Sequence, residues 1–217
     1  MVYRFGYYGD RKAGGNKKGR PGRKGTPPVV GEPISTNTLD PANKGSLITL
    51  SNGDLTASTT SAGSWGSVRS VTGYTTGKKY FEVVLGADDS GFGYVLAGYC
   101  LSTASMSNYL GVSTTSRGFA AWRGGPLSYY NGGGSSINGA TVLVYPTDIL
   151  GIALDIGAAS VSIYVNGILA GVNHTYTTPS GAGTYYAGVS LFNTRSITVR
   201  FASSSWSYAA PAGYGQW

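Results

Sequence analysis

Few residues in this chain have the types and spacing that catalysis requires. A glycoside hydrolase places two carboxylates about 5–9.5 Å apart across one sugar bond. The chain has only two glutamates: Glu32 lies in a polar stretch before the first strand-like segment, and Glu82 lies inside the strand pattern YFEV. The other candidates for such a pair are Asp88, Asp89, Asp148 and Asp155. No strand carries closely spaced carboxylates, so we assign no catalytic residue and interpret the chain as non-enzymatic.

Histidine and cysteine chemistry is limited by number. His174 is the only histidine and Cys100 is the only cysteine, so no intrachain disulfide is expected. A zinc site needs three or four clustered ligands, and no GxSxG motif proposes a nucleophile for a Ser-His-Asp triad. We therefore interpret His174 as a loop residue and keep it as a candidate ligand-binding position. Cys100 lies in the apolar run VLAGYCLS, which predicts a buried, inert thiol.

Asp88 and Asp89 precede a Ser-Gly pair and form the most acidic short segment of the chain. Calcium binds clustered oxygen ligands, but the ligand spacing of an EF-hand is absent. We interpret the two aspartates as part of a solvated turn and keep them as candidate loop residues. No metal and no cofactor is expected.

Aromatic residues give the stronger binding signal. Trp122 and Arg123 stand before two glycines, and Tyr129 and Tyr130 stand before Asn131 and three glycines. Ring faces, an arginine and flexible glycines near strand ends are typical of protein or glycan recognition. The alternative is that Trp122 and one of the two tyrosines fill the hydrophobic core, and both alternatives remain open from the sequence.

The elements that would position these residues are short β-strands. Glycine, at 35 residues, is about twice as frequent as usual, and after residue 30 the mixture typical of long helices is missing. Alternating or wholly apolar runs separated by turn residues predict strands. They lie at Ser46–Ser51, Lys78–Leu85, Gly93–Leu101, Ile149–Ile156, Ser160–Val165, Ile168–Val172, Tyr185–Phe192 and Arg195–Ala202.

Two hairpins are expected among these strands. Asn166-Gly167 supplies the two positive φ angles of a type I′ turn between Ser160–Val165 and Ile168–Val172. Tyr185–Phe192 and Arg195–Ala202 are predicted to form the last hairpin. Many short strands without a helical period predict an all-β antiparallel β-sandwich, with jelly-roll and barrel arrangements as alternatives.

The charge of the chain is concentrated at its amino terminus. Residues 1–30 contain eight Lys or Arg and one Asp, a net charge of +7, whereas the remainder contains eight residues of each sign. The segment RKAGGNKKGRPGRKG, residues 11–25, holds seven of the basic residues. We therefore divide the chain into a basic Gly-rich arm (1–30), an extended linker (31–45) and a β-domain (46–217).

Four roles are compatible with the composition of the arm: nucleic-acid binding, membrane binding, solubilisation and anchoring in an assembly. Clustered cations bind nucleic acid phosphates, but nothing in the chain resembles a nucleic-acid-reading fold. Glycines oppose the amphipathic helix that membrane binding would need. A solubilising tail would not need the aromatic residues of VYRFGYY. We therefore expect an assembly anchor formed by Tyr3, Phe5, Tyr7, Tyr8, Arg11, Lys12, Lys17, Lys18, Arg20, Arg23 and Lys24.

Several short motifs occur in a characteristic order: GKKYFEV, DILGIALD, YVNGILAG, YYAGVSL and PAGY. Together they resemble the SPRY domain, a bent β-sandwich of the concanavalin A-like class. The upstream segments LDPANKGSLITLSNGDLTA and WGSVRS resemble the leading strands of such domains in bacteriophage structural proteins. The resemblance covers residues 39–217. Residues 102–140 and the basic arm depart from it.

The resemblance implies a binding scaffold, because SPRY domains recognise partners, mostly proteins, through loops at one end of the sandwich. The interpretation is a virion structural protein of a tailed bacteriophage, a capsid decoration or head or tail accessory protein. Its partners would be capsid or tail subunits and a host-surface glycan or protein, with a homo-oligomer left open. The alternatives are a tail-fibre adhesin and an intracellular adaptor with a nucleic-acid-binding tail. No signal peptide or membrane span is present, which predicts assembly in the host cytoplasm and location in the virion.

Overall fold

The computed structural model describes residues 35–60, 62–87, 94–121, 125–136, 143–170 and 183–217. The basic arm, residues 1–30, lies outside the described residues. Within these ranges all regular secondary structure is β-strand, apart from one short 3₁₀ turn at Ser203–Ser205. None of the described segments forms a helix that could span a membrane.

The strands are short and follow one another closely. They are β1 (Leu39–Lys44), β2 (Thr49–Ser51), β3 (Thr56–Thr59), β4 (Trp65–Tyr74), β5 (Lys78–Leu85), β6 (Val95–Leu101), β7 (Ser116–Ala121), β8 (Gly125–Pro126), β9 (Ser128–Asn131), β10 (Gly134–Ser136), β11 (Leu143–Val144), β12 (Ile149–Asp155), β13 (Ser160–Val165), β14 (Ile168–Leu169), β15 (Tyr185–Phe192), β16 (Arg195–Arg200) and β17 (Gly215–Gln216).

Two large sheets pack face to face. Sheet A has the order β1-β4-β15-β6-β7-β9-β10, and sheet B has the order β14-β13-β12-β5-β16-β3-β2 with β17 added beside β5. β8 and β11 form a small separate ribbon. Among the described strands, every pairing is antiparallel except the parallel pairing of β17 with β5. The expected all-β antiparallel sandwich is therefore confirmed.

The alternation of apolar residues determines which side of each strand faces the core. On β13, Val161, Ile163 and Val165 are buried and their neighbours are half-buried. On β16, Ile197 and Val199 point inward in the same way. Burying such a side chain contributes roughly 1.5–3 kcal/mol, so this alternation stabilises the contact between the sheets. The two-residue alternation of apolar side chains therefore marks the inward face of both strands.

The turn predictions have mixed outcomes. Asn166 and Gly167 have φ angles of 50° and 77°, and β13 and β14 pair on either side of them, so that hairpin is confirmed. The predicted hairpin of β15 with β16 is wrong. β15 lies between β4 and β6 in sheet A, whereas β16 lies between β5 and β3 in sheet B.

The reason is that both strands carry one strongly apolar face. Val189 and Leu191 on β15, and Ile197 and Val199 on β16, all belong to the core between the sheets. These faces cover each other when the chain crosses from one sheet to the other, and other strands supply the backbone hydrogen bonds. Asn193, with a φ of 62°, lies in this crossover.

The sandwich begins earlier than residue 46. β1, at Leu39–Lys44, falls inside the segment assigned to the linker, and it pairs with β4. Leu39 is buried in the core. Asp40 accepts a hydrogen bond from the Ala42 amide at 2.8 Å, which accompanies a register shift along β1. Residues 39–44 are therefore the edge strand of sheet A and belong to the domain.

Cys100 is fully buried on the outer side of sheet A, as the sequence predicts. A Cβ atom added at Gly188 would lie 3.7 Å from its sulfur. Burial raises the pKa of the Cys100 thiol to about 12. Because the thiolate is the reactive form, the folded protein protects this residue both sterically and electrostatically.

We expect thiol-modifying reagents to label Cys100 at neutral pH only when the chain unfolds. The thiol of the unfolded chain titrates near about 8.5, below its folded value. Burial of the protonated Cys100 thiol therefore favours the folded state. This contribution to stability is fully present below the pKa of the unfolded chain and is lost as the pH rises toward about 12. The measurement is the labelling rate with and without denaturant. Rapid labelling of the native protein would contradict the buried position.

Candidate functional site

Two of the predicted binding residues lie within the described chain. Tyr129 and Tyr130 are consecutive on β9, so their side chains point to opposite faces of sheet A. The other predicted loop residues lie outside the described residues: Asp88, Asp89, Trp122, Arg123 and His174. The predicted anchor residues of the arm, Tyr3, Phe5, Tyr7, Tyr8, Arg11, Lys12, Lys17, Lys18, Arg20, Arg23 and Lys24, also lie outside them.

The two tyrosines have different environments. Tyr129 is buried in the core, with its ring centroid 5.2 Å from that of Phe119. It thus has the core-filling position that the sequence left open for one of the pair. Tyr130 is half-buried on the outer face of sheet A and meets Tyr109 edge to face, at a centroid distance of 5.5 Å. Only Tyr130 remains available at the surface.

Several connections meet at one end of the sandwich, which we call the loop end. Here β4 begins at Trp65, β5 ends at Leu85 and β15 ends at Phe192. Trp65 is paired with Phe192. The segments that carry Asp88 and Trp122 join the described chain at this end, because β6 begins and β7 ends here.

The loop end carries a group of aromatic side chains that we call the aromatic cluster: Trp65, Tyr94, Tyr109, Tyr130 and Phe192. Trp65 is its centre, with ring centroids 5.0 Å from Phe192, 5.2 Å from Tyr109 and 6.2 Å from Tyr94. Tilted contacts at these separations are favourable for aromatic pairs. All five side chains are half-buried, so each supports its neighbours and still reaches solvent.

Of the aromatic cluster, the sequence predicts only Tyr130 as a binding residue. The available signal was the alternation of β4, where Val68 and Ser70 are buried and Trp65 falls on the opposite, outward face. A tryptophan at an outward position of a strand is uncommon, and it indicates a surface that binds a partner. Its partners could not be identified, because Tyr109 and Phe192 reach Trp65 only through loop packing and cross-strand register.

Residues 102–115, which we call the covering loop, position Tyr109. The Ser67 hydroxyl donates to the Asn108 carbonyl, and the Ser67 and Ser190 hydroxyls are 2.7 Å apart. The Leu110 amide donates to the Ser190 hydroxyl at 2.9 Å. These bonds hold the backbone on both sides of Tyr109 against the outer face of sheet A.

Glycines in sheet A make room for the covering loop. Leu110 is fully buried above Gly118 and Gly188. A Cβ atom at Gly118 would lie 2.5 Å from the Leu110 carbonyl oxygen, and one at Gly188 would lie 3.0 Å from a Leu110 methyl carbon. The loop therefore packs directly on the sheet backbone, and Tyr109 is held in the aromatic cluster before any partner binds.

The described carboxylates considered for catalysis have structural contacts. Asp148 accepts hydrogen bonds from the Asn166 side chain at 2.8 Å and from the Tyr145 amide at 2.7 Å. Asp155 accepts from the Ala158 amide and pairs with Lys78 at 3.1 Å; these two contacts hold the pKa of Asp155 below its usual value. Among the described residues no group of His, Cys, Asp or Glu could hold a metal ion.

Glu82 is a buried structural carboxylate. Its oxygens accept from the Tyr208 amide at 2.9 Å and the Ser207 amide at 2.8 Å. The Arg200 guanidinium lies 3.4 Å away. Glu82 thus attaches the segment after β16 to the outer face of sheet B. Glu82 is fully buried, and both of its oxygens are engaged in these contacts.

The two ends of the sandwich differ in what they carry. The Ser35 hydroxyl donates to the Trp217 carbonyl at 2.7 Å, and the Trp217 amide donates to the Tyr80 carbonyl. Tyr80 is near the start of β5, which ends at the loop end. The chain therefore enters the described domain at the end opposite to the aromatic cluster.

No protein-family model and no curated protein sequence matches this chain. Solved structures do match its fold. The SPRY domain of human HERC1 superposes with a TM-score of 0.56 at 17% identity, over 75% of this chain and 96% of that domain. The TRIM65 PSpry domain gives 0.58 at 18%, over 75% and 90%. Stonustoxin gives 0.58 at 20%, over 76% of this chain and 28% of the toxin chain. The chain therefore has the fold of a SPRY domain.

Proposed function

We propose that this chain is a non-enzymatic binding protein of a tailed-bacteriophage virion, docked on the particle by its arm and recognising a protein partner with its loop end. The aromatic cluster carries the recognition part of this proposal. Trp and Tyr are the side chains that most often dominate the binding energy of protein interfaces. The virion part is supported by the sequence resemblance and by the uneven charge of the chain.

Recognition at the loop end would be binding without turnover. The rings around Trp65 are held by neighbouring strands and, at Tyr109, by the covering loop. A partner side chain that covers them removes apolar surface from water and orders few additional rotamers, because these side chains are already packed. Such pre-organisation lowers the entropic cost of association, which favours a stable complex on a small area.

The arm would supply the docking function. Its net charge of +7 attracts acidic surfaces of capsid, neck or tail subunits. Its aromatic residues, Tyr3, Phe5, Tyr7 and Tyr8, would add apolar contacts to that attraction.

Particles from the phage that encodes the chain provide the test. With Lys17, Lys18, Arg20 and Arg23 changed to Gln, we expect the full chain to be lost from purified virions. With Trp65→Ser, we expect a normal copy number and adsorption to host cells reduced at least about tenfold. Val71→Ser is the control, because Val71 is 52% exposed and lies on the far part of β4.

The outcomes separate the parts of the proposal. Absence of the chain from wild-type virions would overturn the virion role, and unchanged adsorption with Trp65→Ser would overturn the recognition role. Protease treatment of the host cells should abolish the Trp65-dependent adsorption. If periodate treatment abolishes it and protease does not, the partner is a glycan and the tail-fibre adhesin alternative is supported.

A further inference from the structure

The side chain of Arg69 lies on the outer face of sheet A without an oxygen acceptor. β4 places Arg69 on the same side as Trp65, opposite to the buried Val68 and Ser70. Its Nη1 atom is buried without a hydrogen-bond partner, and none of the described residues accepts a hydrogen bond from this guanidinium or forms an ion pair with it. A guanidinium has five N–H donors, and leaving buried donors unpaired costs free energy. The arrangement therefore indicates a donor group whose acceptor comes from outside the described chain.

Other cations of the described chain do have such acceptors. Five of them donate to carbonyl or carboxylate oxygens: Lys44, Lys78, Lys79, Arg117 and Arg200. Lys79 is the closest counterpart of Arg69, because its Nζ lies 3.8 Å from the ring centroid of Tyr74. The Cζ of Arg69 lies 3.9 Å from the ring centroid of Tyr186. Lys79 adds a hydrogen bond to the Gln216 carbonyl at 3.2 Å, whereas Arg69 has no such bond.

The groups on the neighbouring strand β15 position the guanidinium and leave its charge unbalanced. Tyr186 provides an uncharged ring, and Gly188, which pairs with Arg69, has no side chain. Burial raises the pKa of Cys100, and the positive charge of Arg69 opposes that rise. The thiol therefore lies near the guanidinium and is neutral at physiological pH. Arg69 is itself only half-buried, so solvent reaches part of it.

The acidic residue on the other neighbouring strand, β1, is already engaged. Asp40 accepts from the Ala42 amide at 2.8 Å with Oδ1 and from the Asn43 side chain at 2.7 Å with Oδ2. The positive charge of Arg69 is thus left for an external anion. A carboxylate carries one negative charge, and its two oxygens match the guanidinium fork. A phosphate monoester carries nearly two charges, more than a single cation neutralises, so the site favours a carboxylate.

The position of Arg69 connects it to the aromatic cluster. Arg69 follows Trp65 by four residues on the same face of β4, a separation of about 13 Å. Arginine, like Trp and Tyr, is enriched among the residues that dominate protein interfaces. We propose that Arg69 binds a carboxylate of the protein partner that covers the aromatic cluster. This rests on the proposed recognition role of the loop end and specifies its partner: an acidic side chain lies at that distance from the group that covers Trp65.

The first test uses the purified full chain and sodium acetate as the probe. We expect the side-chain Nε–Hε NMR signal of Arg69, identified by its loss in Arg69→Met, to shift saturably with acetate. The corresponding signal of Arg200, which is paired with Glu82, should stay in place. Absence of a saturable shift at Arg69, or equal shifts with acetate and with chloride, would overturn the proposal. A larger shift with inorganic phosphate would also overturn it, because the site would then prefer phosphate.

Stability without added carboxylate gives an independent readout. Arg69→Met keeps an unbranched side chain over Tyr186 and removes the unpaired donors, so we expect it to unfold at the same urea concentration as the wild type or a higher one. The matched control is Lys79→Met, which loses the bond to the Gln216 carbonyl and should unfold at a lower concentration. A midpoint for Arg69→Met below that of Lys79→Met would show that the guanidinium has a partner within the chain, contrary to the proposal.

Particles that carry Arg69→Met separate this inference from the proposed function. We expect a normal copy number and adsorption reduced at least about tenfold, with Lys79→Met particles adsorbing normally. If only Trp65→Ser impairs adsorption, the partner supplies no carboxylate to Arg69 and this inference is wrong, while the recognition role stands. If neither substitution impairs adsorption, the recognition role fails, and with it the assignment of the carboxylate to that partner.

Discussion

Glu82→Gln is expected to lower the free energy of unfolding by about 3–5 kcal/mol, because it breaks a buried charge network from one side. Glu82 is fully buried, and both of its oxygens accept hydrogen bonds. One accepts from the Tyr208 amide and from the Tyr80 hydroxyl at 3.3 Å. The other accepts from the Ser207 amide and from Arg200.

Glutamine has the right shape but the wrong donors for this position. Its NH₂ group must replace one of the two acceptor oxygens. That NH₂ group then faces the backbone N–H of Ser207 or Tyr208, and two donors meet where a donor and an acceptor met before. Burial raises the pKa of Tyr80, so its hydroxyl stays protonated in the variant and remains a donor. Unsatisfied buried donors and the uncompensated Arg200 charge account for the loss.

Denaturant unfolding with circular dichroism measures this effect. The matched control is Asp155→Asn, since Asp155 pairs with the largely exposed Lys78 and its Oδ1 can still accept from the Ala158 amide. We expect that control to unfold close to the wild-type midpoint, as exposed ion pairs contribute little. Equal midpoints for Glu82→Gln and Asp155→Asn would show that the buried carboxylate does not hold the segment after β16.

Gly118→Ala is expected to destabilise the protein by about 1–3 kcal/mol through overpacking and to detach the covering loop. The added methyl would lie 2.5 Å from the Leu110 carbonyl oxygen and 2.7 Å from a Leu96 methyl. Leu96 is buried in β6, so the covering loop is the part that can move. Its displacement also removes Tyr109 from Trp65.

Limited proteolysis and tryptophan fluorescence report on the two consequences. We expect new cleavage sites within residues 102–115 and a changed emission from Trp65. The control is Gly134→Ala on β10, where the nearest atom to an added Cβ lies at an ordinary 3.6 Å. Proteolysis of Gly118→Ala identical to that control would mean that the sheet backbone moves and the loop stays attached.

These two substitutions concern features that a single sequence shows incompletely. The alternation around Glu82 predicts its strand well, and Phe81, Val83 and Leu85 are buried as that alternation requires. The same alternation places Glu82 on an outward face, yet the residue is fully buried. The cause is that Ser207 and Tyr208, more than 120 positions later, cover that face. Local periodicity carries no information on such a covering segment.

The candidate site shows the same division. In the sequence, Trp65 belongs to the motif WGSVRS, and Tyr130 is predicted as a binding residue from its aromatic character. Their connection depends on Tyr109, which lies in a Ser- and Asn-rich stretch without periodicity. That stretch becomes a fixed loop because Gly118 and Gly188 leave room for Leu110 and because Ser67 and Ser190 bind its backbone.

By itself the sequence determined the all-β class, the approximate positions of eight of the seventeen described strands, the alternation that marks their inward faces and the Asn166-Gly167 turn. These follow from neighbours in the chain, through the two-residue period of a strand and the φ angles that turns require. The tertiary structure alone decided that β15 and β16 separate into opposite sheets, that five aromatic rings meet at the loop end, and that Glu82 is buried. Those outcomes depend on which apolar faces cover each other. The free energy of burying these faces comes from contacts between strands that are far apart in sequence, so no local segment determines it.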